Sequence, residues 1–397
     1  MPRFAHRMAR VTPSAIMELL KTAGSGEYIS FAGGLPDPAL FPSEQIAAIT
    51  ERILSTDGAG ALQYGPAEGY PPLRECVAER LRGRGFRGAA PENVLITSGS
   101  QQALDLAARA FVNEGDAVCI ESPTYLASLQ VCDSYGARYL PVPQDDDGMV
   151  VDEAERALAA GCATLFALPN FQNPTGRTLS AARRERLAPA LDRSGAVLIE
   201  DDAYYDLRYE GDPLPPIASL MARGTALYSG SFSKIIAPGL RVGYIHGPAD
   251  IIARLTHLKQ ITDLHTGSLS QRVVYQFVAT GALESQIDRL RAAYRAKRGA
   301  MLAALQSCMP SGVAWTRPAG GMFVWLTLPE GMDASAPLKA AMARGVIFVP
   351  GASFHPEGRG ANTLRLNFVS ASEAKIAEGI RLLADVIANQ SYGNSRD

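Results

Sequence analysis

A chain of 397 residues, 47% hydrophobic and 20% charged, is too long for one ordinary domain and carries enough apolar surface for a large core. Its net charge of −2, with Lys and Arg scattered along the sequence, excludes a nucleic-acid platform, which needs a basic excess or patch. The five cysteines (Cys76, Cys119, Cys132, Cys162 and Cys308) form no CxxC pair and the five histidines are dispersed without HExxH spacing, so reduced thiols in a cytoplasmic protein are expected and a metal site is not.

The amino terminus is basic but lacks an apolar run, and no window holds ~18 uncharged apolar residues, so neither a secretory signal nor a transmembrane helix is expected. A short helix is expected around Ser14–Lys21, in an N-terminal segment, residues 1–45, that packs on a small C-terminal domain. Residues 46–285 then alternate strand-like apolar runs with helical patterns. The runs are Val94–Thr97, Ala117–Glu121, Thr164–Leu168, Val197–Glu200, Ala226–Ser229 and Arg241–Ile245. Between them Gln101–Val112 places Leu104, Ala107, Ala108 and Phe111 on one face. Near-continuous apolar strands separated by helices predict a mostly parallel sheet buried on both faces, an α/β domain. An amphipathic stretch, Gly281 to Met309, leads into residues 286–397. There Val313–Thr316, Gly321–Leu328, Val346–Val349 and Thr363–Phe368 read as strands, and Ala334–Arg344 and Ser372–Ala388 as helices, giving a smaller α+β domain.

Ligands of open parallel sheets sit beyond the carboxyl ends of the strands. The polar clusters TSGSQQ, ESPTY, PNFQNPTG, EDDAYY and SGSFSK each follow a strand-like run, so they converge on one rim. Ser98-Gly99-Ser100-Gln101-Gln102 opens a helix whose free N–H groups suit a phosphate, although an ordinary Ser N-cap would explain it equally. Glu200, Asp201 and Asp202 cannot all be buried and ionised without partners, so one of them is a candidate for a cationic ligand nitrogen; a solvated helix start is the other explanation. Lys234, in Ser231-Phe232-Ser233-Lys234 with Arg241 seven residues on, combines an amine able to form a Schiff base with anion-binding hydroxyls and a guanidinium. Asn173-Pro174-Thr175-Gly176 reads as a turn, and Tyr125 offers a flat face to a planar ring, though a core tyrosine is commoner.

Taken with SFAGGLPDPALFP, LQYGPAEGY, RPAGGMFVWL and NTLRLNF, these strings resemble fold-type I PLP enzymes, specifically class I/II aminotransferases of the 2-aminoadipate aminotransferase and MocR effector-domain subgroup. The resemblance implies a large α/β domain with a central, mostly parallel seven-stranded sheet, a smaller α+β domain, and pyridoxal 5′-phosphate as cofactor. It implies that Lys234 carries the cofactor as a Schiff base and shuttles the substrate proton, while Asp201 pairs with the pyridinium nitrogen. Asp201 is preferred to Asp202 because the family spacing Asp-x-x-Tyr ends on Tyr204. Tyr204 and Asn173 would bond the phenolic oxygen, and Tyr125 would stack on the ring. Gly99, Ser100, Gln101, Ser231, Ser233 and Arg241 would hold the phosphate, with Tyr64 reaching it from the neighbouring subunit of a homodimer. Arg365 would clamp the substrate carboxylate, Gly34 would cover the substrate, and Tyr70 would line the neighbour's site.

The implied reaction moves the amino group of an L-amino acid to a 2-oxo acid such as 2-oxoglutarate or pyruvate by ping-pong kinetics, with small molecules as partners and no nucleic acid or membrane. Met17 stands where 2-aminoadipate enzymes often carry an arginine, which points to neutral, aromatic or branched side chains, unless Arg7 or Arg10 substitutes. Ala203-Tyr204-Tyr205 also departs from the Pro-Tyr-Gly of many relatives, leaving the role of Tyr205 open. The same cofactor set would serve a lyase, racemase, decarboxylase or cyclase. A regulator's effector domain would need a DNA-binding segment ahead of SFAGGLP, which begins at residue 30.

Overall fold

The computed structural model describes residues 3–11, 21 and 28–393; the expected helix around Ser14–Lys21, apart from its last residue, and Met17 within it lie outside the described residues. In chain order the strands are β1 (Ile29–Ser30), β2 (Val94–Thr97), β3 (Ala117–Ser122), β4 (Arg138–Asp145), β5 (Gly148–Met149), β6 (Thr164–Ala167), β7 (Val197–Asp201), β8 (Ala226–Ser231), β9 (Gly243–His246), β10 (Ala314–Trp315), β11 (Phe323–Thr327), β12 (Val346–Ile347), β13 (Val349–Pro350) and β14 (Thr363–Asn367).

One sheet takes the order β2-β9-β8-β7-β6-β3-β4-β5. The pairs β8–β7, β7–β6, β6–β3 and β3–β4 are parallel, and β9 runs antiparallel to both β2 and β8. Eight strands stand where seven were expected, because the two-residue β5 folds back on β4 as a short hairpin at the edge. Strand residues alternate between faces, as the pleat requires. Phe166, Val197 and Ile199 pack with Leu104, Ala107 and Ala108 of the helix Ser100–Phe111, whereas Leu165 and Leu198 face Leu187 and Leu191 of the helix Ala181–Ser194. Arg241, expected in a strand, instead closes the turn Pro238–Leu240 with φ 53°, and β9 begins at Gly243.

The smaller sheet, β10-β11-β14-β13, is antiparallel throughout. β1 pairs in parallel with β12, Ile29 opposite Val346. The turn His6–Arg10 packs on the helix Leu126–Tyr135, and Arg10 pairs with Glu114. The boundary expected at 285/286 falls just inside the helix Ala282–Cys308, which packs on both Ser268–Ala279 and Glu373–Gly393. No described helix is long and apolar enough to cross a membrane, and all five cysteines are free.

Behind the sheet Arg84 is buried with its charge matched. It donates to Asp206 at 2.8 Å, to Tyr228 Oη at 2.8 Å and to Tyr244 Oη at 3.1 Å, and its guanidinium lies 4.2 Å from the Tyr205 ring centroid. Removing one partner of a buried pair leaves the other charge uncompensated. Arg84→Ala is therefore expected to cost ~3–5 kcal/mol of stability, read as a shift in the urea midpoint at constant slope.

Candidate active site

The carboxyl ends of β3, β6, β7 and β8 and the start of β9 surround one cavity of about 470 Å³. Its lining includes Gly34, Ser100, Gln101, Tyr125, Asn173, Asp201, Tyr204, Ser231, Ser233, Lys234, Arg241 and Arg365. Residues from both domains and the N-terminal segment thus meet at the predicted rim.

β7 ends in three buried acids, and the structure gives each a different fate. Glu200 accepts the backbone N–H groups of Ile217 and Ala218 at 3.0 and 2.8 Å, and burial pushes its carboxyl up to about 8. Asp202 accepts from Asn170 Nδ2 through both oxygens, at 2.9 and 3.0 Å, and from Tyr228 Oη at 3.0 Å. Asn170 is fixed in turn by the buried Arg184, which donates to its Oδ1 at 2.8 Å and to the Pro169, Leu179 and Pro215 carbonyls. Asp201 alone faces the cavity with a buried Oδ1 that has no partner, and burial followed by the neighbouring Asp202 raises its carboxyl to about 7. Such an oxygen calls for a cation or an N–H donor from a ligand.

Lys234 follows β8 and donates to the Gly34 carbonyl at 2.9 Å, tying the N-terminal segment to the cavity floor. Burial, then the nearby Arg241 and Arg365, lowers its amine to about 8. That value suits a nucleophile and proton carrier at neutral pH.

An anion cradle lies beside it. Gly99 caps the helix Ser100–Phe111 with φ 82°, a conformation glycine adopts freely. A Cβ there would sit 2.4 Å from Arg241 Nη2, so only glycine lets the guanidinium approach. Arg241 Nη2 donates to Ser98 O at 3.0 Å, and the Ser233 N–H donates to Ser231 Oγ at 3.1 Å. The ordinary Ser N-cap is excluded, because the Ser98 hydroxyl is turned to Asp263 at 2.8 Å.

Opposite, Arg365 projects from β14. It donates to Asn173 Oδ1 at 2.8 Å and to Ala32 O, and its Nε is buried without a partner. Phe323 and Phe354 flank the guanidinium at 4.4 and 5.1 Å, and burial lowers it to about 10. Burial likewise pushes the Tyr125 phenol up to about 12 and raises Tyr204.

Not every sequence candidate reaches the cavity. The Tyr64 ring is 77% exposed and meets His265 edge-on; Tyr70 packs on Tyr275 and under Arg272. Neither lines this chain's own cavity. Tyr205 lies behind the sheet against Arg84, and Arg7 and Arg10 lie outside the cavity lining. Leu126, Ala127, Gln130, Leu168, Ala203 and Pro238 complete the lining and were missed. The spacing 126, 127, 130 on a helix opening after Tyr125 was the available signal.

The sequence model of the family "aminotransferase class I and II" matches residues 29–383. An aromatic-amino-acid aminotransferase of Thermococcus litoralis is 42% identical over 393 residues, 98% of this chain and 94% of that protein. The kynurenine aminotransferase of Pyrococcus horikoshii, solved in complex with PMP, superposes with a TM-score of 0.93 at 42% identity, covering 98% of this chain and 97% of that one. An α-aminoadipate aminotransferase of Thermus thermophilus, complexed with N-(5′-phosphopyridoxyl)-L-leucine, gives 0.91 at 40% identity, with 98% of each chain covered.

The unpartnered acid has a thermodynamic consequence. Asp201 titrates near 3.8 when unfolded and near 7 when folded, so between these values the folded state holds the extra proton and stability declines as pH rises. Asp201→Asn should stabilise the ligand-free protein at pH 8, by up to about 4 kcal/mol, and leave it nearly unchanged at pH 4. Urea unfolding at the two pH values checks this.

Proposed function

The chain belongs to the class I and II aminotransferases, and from that membership we propose that it transfers the amino group of a neutral, aromatic or branched L-amino acid to a small 2-oxo acid. One observation carries the substrate class. Among the described residues the only cationic side chains lining the cavity are Lys234, Arg241 and Arg365, and each has another task. No described cation remains for a second carboxylate, while Tyr125, Leu126, Ala127 and Leu168 offer apolar surface. The leucine adduct on the Thermus thermophilus enzyme, itself an α-aminoadipate aminotransferase, supports the branched side chain and not the exclusion of an acidic one.

The cofactor is pyridoxal 5′-phosphate, and the residues present fit it. Asp201 Oδ1 lacks a partner, Gly99 leaves a cradle that a Cβ would fill, and Lys234 presents a buried amine. When bound, the group supplies an electron sink conjugated to the Cα of the amino acid.

This chain's residues do the rest. Lys234 would hold the cofactor and, as a free amine, would carry the proton that leaves the substrate Cα. Its lowered pKa leaves a useful fraction unprotonated at neutral pH. Asp201 would keep the ring nitrogen protonated, the cation its carboxylate lacks. Asn173, already braced by Arg365, and Tyr204 would bond the phenolic oxygen. Ser231, Ser233, Arg241 and the amides after Gly99 would hold the phosphate, helped by the positive helix start. Arg365 would take the substrate carboxylate with the fork geometry that suits it.

A homodimer supports the cofactor from both sides. Leu62, Tyr64, Ile261 and Leu264 are 73, 77, 72 and 51% exposed, an unusual amount of large apolar surface around the point where Tyr64 leaves the chain. Tyr64 would complete the neighbour's phosphate site.

The test is the cofactor absorption band during additions of single L-amino acids without any 2-oxo acid. Bleaching by neutral or aromatic donors and not by 2-aminoadipate is expected, with glutamate bleaching only if 2-oxoglutarate is the acceptor, by the reverse of that half-reaction; bleaching by 2-aminoadipate and not by neutral or aromatic donors overturns the substrate class. Initial rates with both substrates should give parallel double-reciprocal lines. Arg365→Lys should lower kcat/KM about 10- to 150-fold, the loss of ~1.5–3 kcal/mol of charge-assisted bonding.

A further inference from the structure

The two domains meet beside the cavity at a contact that no step above uses. Ser122 ends β3 in the large domain, and His355 and Glu357 follow the turn Gly351–Phe354 in the small one. Ser122 Oγ lies 2.9 Å from His355 Nδ1 and donates to Glu357 Oε1 at 2.8 Å. A hydroxyl has one proton. Given to the carboxylate, it leaves a lone pair for Nδ1, so the imidazole carries its proton there. The bonds therefore run in one direction, from His355 Nδ1–H to Ser122 and from Ser122 to Glu357. His355 Nε2 is buried without a partner, facing Gly360, where a Cβ would come within 2.3 Å of it. A neutral ring with a bare Nε2 fits that place, and burial holds its pKa below the ordinary value against the pull of Glu357.

The trio is not built for acyl transfer. There the imidazole accepts the serine proton and the carboxylate orients the imidazole. Here the carboxylate takes the serine proton directly, and Nε2 is sealed.

A second bond crosses the same seam, from the Thr124 N–H to Phe354 O at 2.8 Å. Between the two, Pro123 O accepts from Gln144 and Gln172 of the large domain at 3.0 and 2.8 Å. The next residue after Thr124 is Tyr125. On the small-domain side, the Phe354 ring backs Arg365 at 5.1 Å, and Trp325 packs against both Phe354 and His355, with centroids 5.7 and 6.3 Å away. The contact thus joins the strand end carrying Tyr125 to the turn that backs Arg365.

We propose that His355 is a positioning residue which, through Ser122 and Glu357, clasps the domains and sets the spacing between Tyr125 and Arg365, and so between the cofactor ring and the carboxylate of the amino acid. This rests on the roles given above to Tyr125 and Arg365. His355 touches neither substrate nor cofactor. Loosening the clasp leaves Lys234 and Asp201 in place, so it weakens amino-acid binding more than turnover.

Three variants of the holoenzyme test this. His355→Phe keeps the ring against Trp325 and removes the Nδ1 donor. His355→Asn restores a donor near the Nδ1 position. Ser122→Ala removes the link from the other domain with little change in volume. Two readouts are taken: amide hydrogen exchange of the peptide carrying Thr124, without substrate, and KM and kcat for the amino donor. In H355F and S122A, faster exchange at Thr124 is expected with KM raised about five- to tenfold, the scale of one lost hydrogen bond, and kcat changed less than about threefold. H355N should bring both readouts back toward wild type. Unchanged exchange in S122A, an H355N no better than H355F, or a fall in kcat at constant KM would each overturn the clasp. If H355F does not fold, S122A and H355N decide the matter by the same criteria. A wild-type enzyme that bleaches with no amino acid would defeat the substrate reading, while exchange at Thr124 would still judge the contact.

Discussion

Three consecutive carboxyl groups buried at the end of one strand are the constraint around which this site is organised. Burial of an unpaired carboxylate is too costly to leave uncompensated. Two of the three are therefore answered from within: Glu200 by a short helix start, and Asp202 by Asn170, Tyr228 and the charge of Arg84. Arg184 extends that support by pinning Asn170 with a buried guanidinium that donates four hydrogen bonds. What remains is a single oxygen on Asp201 aimed at the cavity. That oxygen is left to accept from a ligand because everything behind it is satisfied.

The anion cradle is positioned by backbone geometry. β9 runs against its neighbours, so its beginning, and not its end, reaches the same rim as the ends of β7 and β8. That reversal delivers Arg241 to the start of the helix Ser100–Phe111 from the opposite chain direction. Close packing follows: a Cβ on Gly243 would lie 2.8 Å from the Gly99 carbonyl carbon and 2.9 Å from the Ser100 nitrogen.

Much of this was legible because short polar clusters follow strongly apolar strands. The order of the clusters located the cavity; the family spacing ending on Tyr204 was the sequence's only ground for preferring Asp201 to Asp202, and hydrogen bonding is what differs between the two equally buried acids. Other features left no such mark. β4 contains Pro141 and Pro143 and is mostly solvent-facing, as an edge strand can be, so its apolar signal is weak. The direction of β9 depends on pairing across the sheet, which periodicity does not encode. The left-handed turn at Arg241 looked like the start of a strand because hydrophobic residues follow at once. The Ser122–His355 contact joins residues 233 positions apart, and although Ser122 lies in the ESPTY cluster, nothing in the sequence marks His355 as its partner.

The parallel pairing of Ile29–Ser30 with Val346–Ile347 also governs how the protein comes into being. The first strand is made more than three hundred residues before its partner. At ~5–20 residues per second, that is roughly 15–60 seconds of waiting. Throughout it, Ile29 and Phe31, buried in the finished protein, lack the strand they pair beside. The segment that brings the Gly34 carbonyl to Lys234 therefore cannot be fixed by that pairing until Ile347 has been made.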